Sequence, residues 1–161
     1  MSIQQGDTLP DVKMHVMEGG SPVAVSTADL FSGKRVVMFA VPGAFTPTCS
    51  EAHLPGFVVK SDEIKACGID DIVCLSVNDA FVMEAWARDR NAEALIMVGD
   101  GNGDLTNAIG LEMDGSGFGL GSRSQRYAMV VRDGVVEKMF LEEPGKFKES
   151  KAESVLEYLS Q

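Results

Sequence analysis

The chain has 161 residues, 45% of them hydrophobic and 24% charged, with 24 acidic against 14 basic side chains for a net charge of −10. That composition fits one globular domain spanning residues 1–161. The acidic balance argues against sequence-independent nucleic-acid binding and against docking on anionic lipid, both of which need a basic footprint. No segment approaches the ~18 apolar residues of a membrane span. The start, "MSIQQGDTLPDVKM", lacks the basic and apolar regions of a secretory signal. The three cysteines are odd in number and have no CxxC spacing, so they form no disulfide framework; a reducing, cytoplasmic location is expected.

In chain order, "DVKMHVM" alternates and "SPVAVS" is extended, and the turn Glu18-Gly19-Gly20 between them predicts a hairpin. "STADLFSGK" predicts a short helix, capped by Ser26 or Thr27 and stopped at Gly33. "RVVMFAV", Arg35 to Val41, is a continuous apolar and β-branched run, the pattern of a strand buried on both faces. A helix is expected from about Thr48 to Ala66, kinked or broken where Pro55 and Gly56 interrupt it. "DIVCLSV" is a second buried strand. "NDAFVMEAWARDR" is a helix capped by Asn78 or Asp79, "ALIMVGD" a third strand and "TNAIGL" a short helix or turn. The patch "DGSGFGLGS", Asp114 to Ser122, reads as a flexible loop. "RYAMVVRDGVVEKMFLEE" is a strand pair around Asp133-Gly134, and "KESKAESVLEYLSQ" a closing amphipathic helix. The order fits an α/β fold with a mixed central β-sheet flanked by helices, an order that the thioredoxin-like fold has but does not own.

The chemistry concentrates in "VPGAFTPTCS". Cys49 sits where the apolar run of the first buried strand has ended and a helix begins. There, unpaired backbone N–H groups and the positive end of the helix dipole favour thiolate over thiol. A thiolate is a nucleophile and a sink for peroxide oxygen. The alternative is a small buried hydrophobe, the commoner fate of a cysteine. Thr46, three residues earlier, can place its hydroxyl beside the sulfur or a bound oxygen. Pro42 and Pro47 stiffen the loop and supply no N–H donor. His53, four residues after Cys49, shares its helix face, either as an imidazolium favouring the thiolate or as a packing and hydrogen-bonding neighbour. A Cys49/His53 pair falls short of a structural zinc site. Glu51 suits the positive first turn of the helix.

"VPGAFTPTCSEAHLPGF" resembles the active-site signature of the peroxiredoxins, specifically the peroxiredoxin 5 or type II group. The pattern P-x-x-x-T-x-x-C is met by Pro42, Thr46 and Cys49, and the similarity continues through "VCLSVNDAFVMEAWA" and "GLGSRSQRYAMVV". The resemblance implies a thioredoxin-like fold and a thiol peroxidase in which Cys49 attacks hydrogen peroxide or an alkyl hydroperoxide. Thr46 and an arginine, which falls on Arg126, would align the peroxide; Arg123 is a second candidate for shaping the pocket. No metal, haem, flavin or other cofactor is implied. Some family members carry a resolving cysteine near the C-terminus, but no cysteine follows Cys74 here. Cys67 and Cys74 are the internal candidates, and glutathione, glutaredoxin or thioredoxin the external reductants. The resemblance also suggests a homodimer involving Phe45, Phe81 and the 114–122 loop. A redox sensor, in which oxidation of Cys49 changes a binding surface, is the competing reading.

Overall fold

The computed structural model describes residues 2–161. Strands β1 (Lys13–Glu18) and β2 (Ser21–Ser26) form the expected hairpin, with Gly19 and Gly20 both at positive φ in its two-residue turn. Helix α1 (Thr27–Phe31) is capped by Ser26, whose hydroxyl accepts from the Asp29 N–H while the Asp29 carboxylate accepts from the Ser26 N–H. Strand β3 (Arg35–Val41) pairs in parallel with β4 (Asp71–Ser76) and antiparallel with β8 (Tyr127–Arg132). With β5 (Ile96–Gly99) and β9 (Val135–Leu141) these make a seven-stranded mixed sheet in the order β2-β1-β5-β4-β3-β8-β9.

The doubly apolar runs of β3, β4 and β8 are explained by two cores, one on each face of the sheet. Val37, Phe39, Val41, Ile72, Cys74, Ala128 and Val130 face one layer. That layer is completed by α2 (Leu54–Val59), α3 (Ser61–Ala66), α4 (Ala80–Asp89) and α6 (Ala152–Leu159). The alternate residues, Val36, Met38, Ala40, Val73, Leu75 and Met129, face α1 and α5 (Asp104–Ala108). Gly99 permits the close crossing of β5 and the start of α4: a Cβ there would lie 2.7–2.9 Å from the backbone of residues 78–80.

Two expectations are corrected. The helix after β3 is not broken at Pro55. Pro55 lies in the first turn of α2, and the break falls at Lys60, between α2 and α3. Upstream of the proline the chain adopts a wide π turn, Cys49–His53, in which the Leu54 N–H donates to the Cys49 carbonyl. A proline can neither donate to the carbonyl four residues back nor avoid crowding it, and the wider turn accommodates both. The glycine-rich patch is also more than a loop. It is the tip of a second, two-stranded sheet, β6 (Glu112–Asp114) with β7 (Ser122–Ser124). Its turn is closed by the Gly115 N–H donating to the Gly121 carbonyl and by a short 3₁₀ turn over Ser116–Phe118.

Candidate active site

The segment after β3 is tied down from two sides. Asn78 Oδ1 accepts from the Ala44 N–H at 3.0 Å and lies 2.7 Å from the Ser76 hydroxyl, which also reaches the Val41 carbonyl at 3.0 Å. The end of β4 therefore anchors the loop at the end of β3. Asn78 is not the cap of α4; Asp79 is, accepting from the Val82 N–H. From the other side Arg123 donates to the Pro42 carbonyl at 3.3 Å and to the Leu120 carbonyl at 2.9 Å. Gly43 makes room for this clamp: a Cβ would stand 3.0 Å from the Arg123 guanidinium and 3.1 Å from the Thr46 methyl. Arg123 thus shapes the loop through its backbone and is bonded to Pro42 rather than to the sulfur. Phe45 is held at φ 64°, a left-handed conformation unusual for a bulky side chain.

Cys49 is 0% exposed and packs against the α2 side of the core. Burial does not make it a mere hydrophobe, because Arg126 Nη2 donates to its sulfur at 3.0 Å. The sheet delivers that arginine. Tyr127 pairs with Ala40, so Arg126 precedes β8 beside the end of β3. It also has the same parity as Ala128 and Val130, which face the Cys49 layer. The other arm of the guanidinium, Nη1, donates to His53 Nδ1 at 2.8 Å, and His53 Nε2–H donates to the Ser150 carbonyl at 3.0 Å. Phe39, Phe57 and Phe147 surround the imidazole, with ring centroids 4.9, 5.7 and 5.0 Å away.

These partners assign His53 as the neutral Nε2–H tautomer. Burial, reinforced by the neighbouring Arg126 charge, drives its pKa down to about 3. The imidazolium reading is therefore overturned: His53 is an uncharged acceptor that fixes the guanidinium. Thr46 donates its hydroxyl proton to the Gly43 carbonyl at 2.6 Å rather than to the sulfur. Its oxygen lone pairs remain available as acceptors. Trp86 Nε1–H donates to Ser50 Oγ at 3.0 Å, fixing the residue next to Cys49.

Cys67 lies away from Cys49, whereas Cys74 shares its core layer. Cys74 lies in β4, fully buried, and burial, with a smaller contribution from Cys49, pushes its thiol up. Cys67 ends α3, and its carbonyl accepts from Arg35 at the opposite end of β3. The length of that strand, roughly 20 Å at about 3.3 Å per residue, separates it from the Cys49 loop. Among the described residues no group of three or more His, Cys, Asp or Glu side chains is arranged to hold a metal ion, and no helix is long and apolar enough to cross a membrane.

A cysteine in the helical turn that follows a central strand, met by a guanidinium and set in a helix-flanked mixed sheet, defines the class of thioredoxin-like thiol oxidoreductases. The Redoxin family model matches residues 4–156. The chain is 48% identical to peroxiredoxin-2E, chloroplastic, of Arabidopsis thaliana, over 98% of this chain and 70% of that one. It is 45% identical to the hybrid peroxiredoxin hyPrx5 of Haemophilus influenzae, over 99% and 68%. The reduced Prx3 of Vibrio vulnificus in complex with hydrogen peroxide superposes with a TM-score of 0.94 at 52% identity, covering 98% of this chain and 99% of that one. The chain belongs to the peroxiredoxins, in the Prx5 or type II group of the Redoxin family, and is a thiol-dependent peroxidase.

Three residues of the network escaped the sequence reading. Asn78 was legible only as a possible helix cap. Phe147 and Ser150 lie in the stretch "EEPGKFKES", whose ends read as the last strand and the closing helix; the helix begins only at Ala152, leaving Ser150 in the connecting strap.

Proposed function

We propose that Cys49 is the nucleophile of this peroxidase, that Thr46 and Arg126 orient the peroxide, and that Pro42 stiffens the loop presenting them. The observation that carries this reading is the 3.0 Å contact of Arg126 Nη2 with the Cys49 sulfur. The thiolate attacks the terminal oxygen of hydrogen peroxide or an alkyl hydroperoxide. The S–O bond forms as the O–O bond breaks, and the sulfur is oxidised by two electrons to a sulfenic acid. The departing hydroxide or alkoxide takes up a proton and leaves as water or an alcohol. Negative charge grows on that departing oxygen, where a fixed guanidinium favours the transition state over the ground state. Thr46, its own proton committed to Gly43, accepts from the peroxide O–H and holds it in line. The bound hydrogen peroxide of the Vibrio relative supports the same substrate class.

The sulfenic acid then condenses with an external thiol, releasing water and forming a mixed disulfide. A second thiol frees Cys49 by exchange. Glutathione, with glutaredoxin or thioredoxin as the protein partner, fits this step. The burial of Cys74 and the placement of Cys67 at the far end of β3 argue against an internal reductant. Three unpaired cysteines suit a reducing, cytoplasmic setting. The same proposal includes a homodimer through the face bearing Phe45, Phe81 and the 114–122 loop. Phe45, Phe81 and Phe118 are 51%, 57% and 90% exposed.

Mass spectrometry after one equivalent of hydrogen peroxide, with and without glutathione, tests the site. Cys49 alone should carry oxygen, then glutathione; modification confined to Cys67 would refute the assignment. Turnover with glutathione and glutaredoxin should survive replacement of Cys67 and Cys74 by serine. Collapse of turnover with the first oxidation intact would refute the external reductant.

A further inference from the structure

The chemistry assigned above to Cys49, Thr46 and Arg126 leaves unused a buried carboxylate at the far end of the same hydrogen-bond chain. Glu142 follows β9 and is 5% exposed. Its N–H donates to the Arg126 carbonyl at 3.1 Å, so its backbone lies against that of the arginine. Its Oε2 accepts from the Lys148 N–H at 2.8 Å, the Ser150 N–H at 2.8 Å and the Ser150 hydroxyl at 2.7 Å. Its Oε1 is buried with no partner. Burial raises the Glu142 pKa, but the donors from Ser150 and Lys148 outweigh it and hold the carboxyl below its ordinary value.

Residues 143–149 between these ends are exposed except for half-buried Phe147. Its ring packs on His53 and lies 5.8 Å from the Arg126 guanidinium carbon. One side chain therefore ties both ends of this strap, and the tied end presents the Ser150 carbonyl to His53 Nε2. With Nε2–H committed there, the Nδ1 lone pair faces Arg126. The opposite tautomer, or a protonated ring, would set N–H against N–H. The guanidinium is planar, so holding Nη1 fixes where Nη2 points.

We propose that Glu142 is a positioning residue for peroxide reduction: by tying the 143–150 strap to the end of β9 it sets the tautomer of His53 and so aims Arg126 at Cys49. This rests on the reading that Cys49 and Arg126 carry the chemistry. It is a role of geometry, so an amide oxygen should replace the carboxylate better than a shortened carboxylate does.

The test is stopped-flow oxidation by hydrogen peroxide, followed through Trp86, the sole tryptophan, whose indole is bonded to Ser50 beside Cys49. It is paired with ¹⁵N NMR of the His53 ring. Glu142→Ala and Glu142→Asp should each slow oxidation about tenfold or more, the scale of a small misplacement of a catalytic group. Glu142→Gln should recover to within about threefold, because its oxygen can accept the same donors. Glu143→Ala, the same charge change at an exposed neighbour, should leave the rate unchanged. The His53 ring should be a single Nε2–H tautomer in the wild type and lose that uniformity in the alanine and aspartate proteins. Wild-type rates in both of those proteins, or slowing with the His53 signal unmoved, would overturn the proposal. If the alanine protein does not fold, the order of the other two decides, and aspartate faster than glutamine would overturn it. Arg126→Ala serves as the reference: an undiminished rate there would refute the reading of the site itself and not the role of Glu142.

Discussion

Arg126 makes two bonds with one rigid plane, to the Cys49 sulfur and to His53 Nδ1. A lysine carries the same charge but is a flexible point donor and cannot reproduce both bonds in fixed directions. Arg126→Lys is therefore expected to lower the second-order rate with hydrogen peroxide roughly a hundredfold, close to the loss of a fixed transition-state donor. A stopped-flow rate near wild type would mean that charge alone suffices. At this scale, what the sequence disclosed depended on distance along the chain. Pro42, Thr46 and Cys49 lie within one short stretch and could be singled out as candidates from its spacing. Arg126 lies 77 residues from Cys49 and came into view only through the resemblance to a family. The charge of His53 was not legible at all, because Phe39, Phe57 and Phe147, from three separate segments, create the burial that decides it.

The elements that could be read were those whose signals are local. The Gly19-Gly20 turn of one hairpin, the Asp133-Gly134 turn of the other, the Ser26 cap and the unbroken apolar runs of β3 and β4 all fell where their residues placed them. The π turn did not announce itself. Pro55 is compatible with a break, a kink or a fresh first turn, and only the packing of α2 against the sheet selects the last. The β6–β7 pair was hidden because three-residue strands around four glycines have no periodicity to detect. Gly99 was equally silent within "ALIMVGD", yet it governs how closely β5 meets α4. Gly99→Ala would force a Cβ to 2.7–2.9 Å from the backbone of residues 78–80, including the carbonyl of Asn78, the anchor of the Cys49 loop. The expected cost is about 1–3 kcal/mol, typical of overpacking. Thermal denaturation should register it as a fall of several degrees, about 2–4 °C per kcal/mol for a chain of this size.

For the molecule as a whole, stability should depend on acidity through a group at the site. The His53 pKa falls from 6.5 to about 3 on folding. The unfolded chain therefore takes up a proton below pH 6.5 that the folded chain refuses until about pH 3. The contribution is intact above pH 6.5 and is lost progressively as the pH falls towards 3. At about 1.4 kcal/mol per pH unit the loss at pH 5 is about 2 kcal/mol. Glu137 is held down to about 2, chiefly by its hydrogen bonds from Arg35, so its own loss begins only as the pH falls through the ordinary glutamate value and continues towards 2. The melting temperature should drop by roughly 4–8 °C between pH 7 and pH 5. His53→Asn should flatten that slope whatever it does to the absolute value, and an unchanged slope would assign the effect elsewhere.

The complete enclosure of the Cys49 sulfur has a bearing on turnover as a cycle. Hydrogen peroxide is scarcely bulkier than a water molecule, so a small opening of the surrounding side chains would be enough to admit it. A protein thiol has no such route, because in this conformation there is no sulfur surface for it to touch. In the cycle proposed above, oxidation of Cys49 and its reversal by a protein thiol would therefore act on two shapes of one polypeptide, one shut around the sulfur and one with the Cys49 segment drawn out. The widened turn next to Pro55, where regular helical bonding is already interrupted, is the natural seam along which the second shape would open.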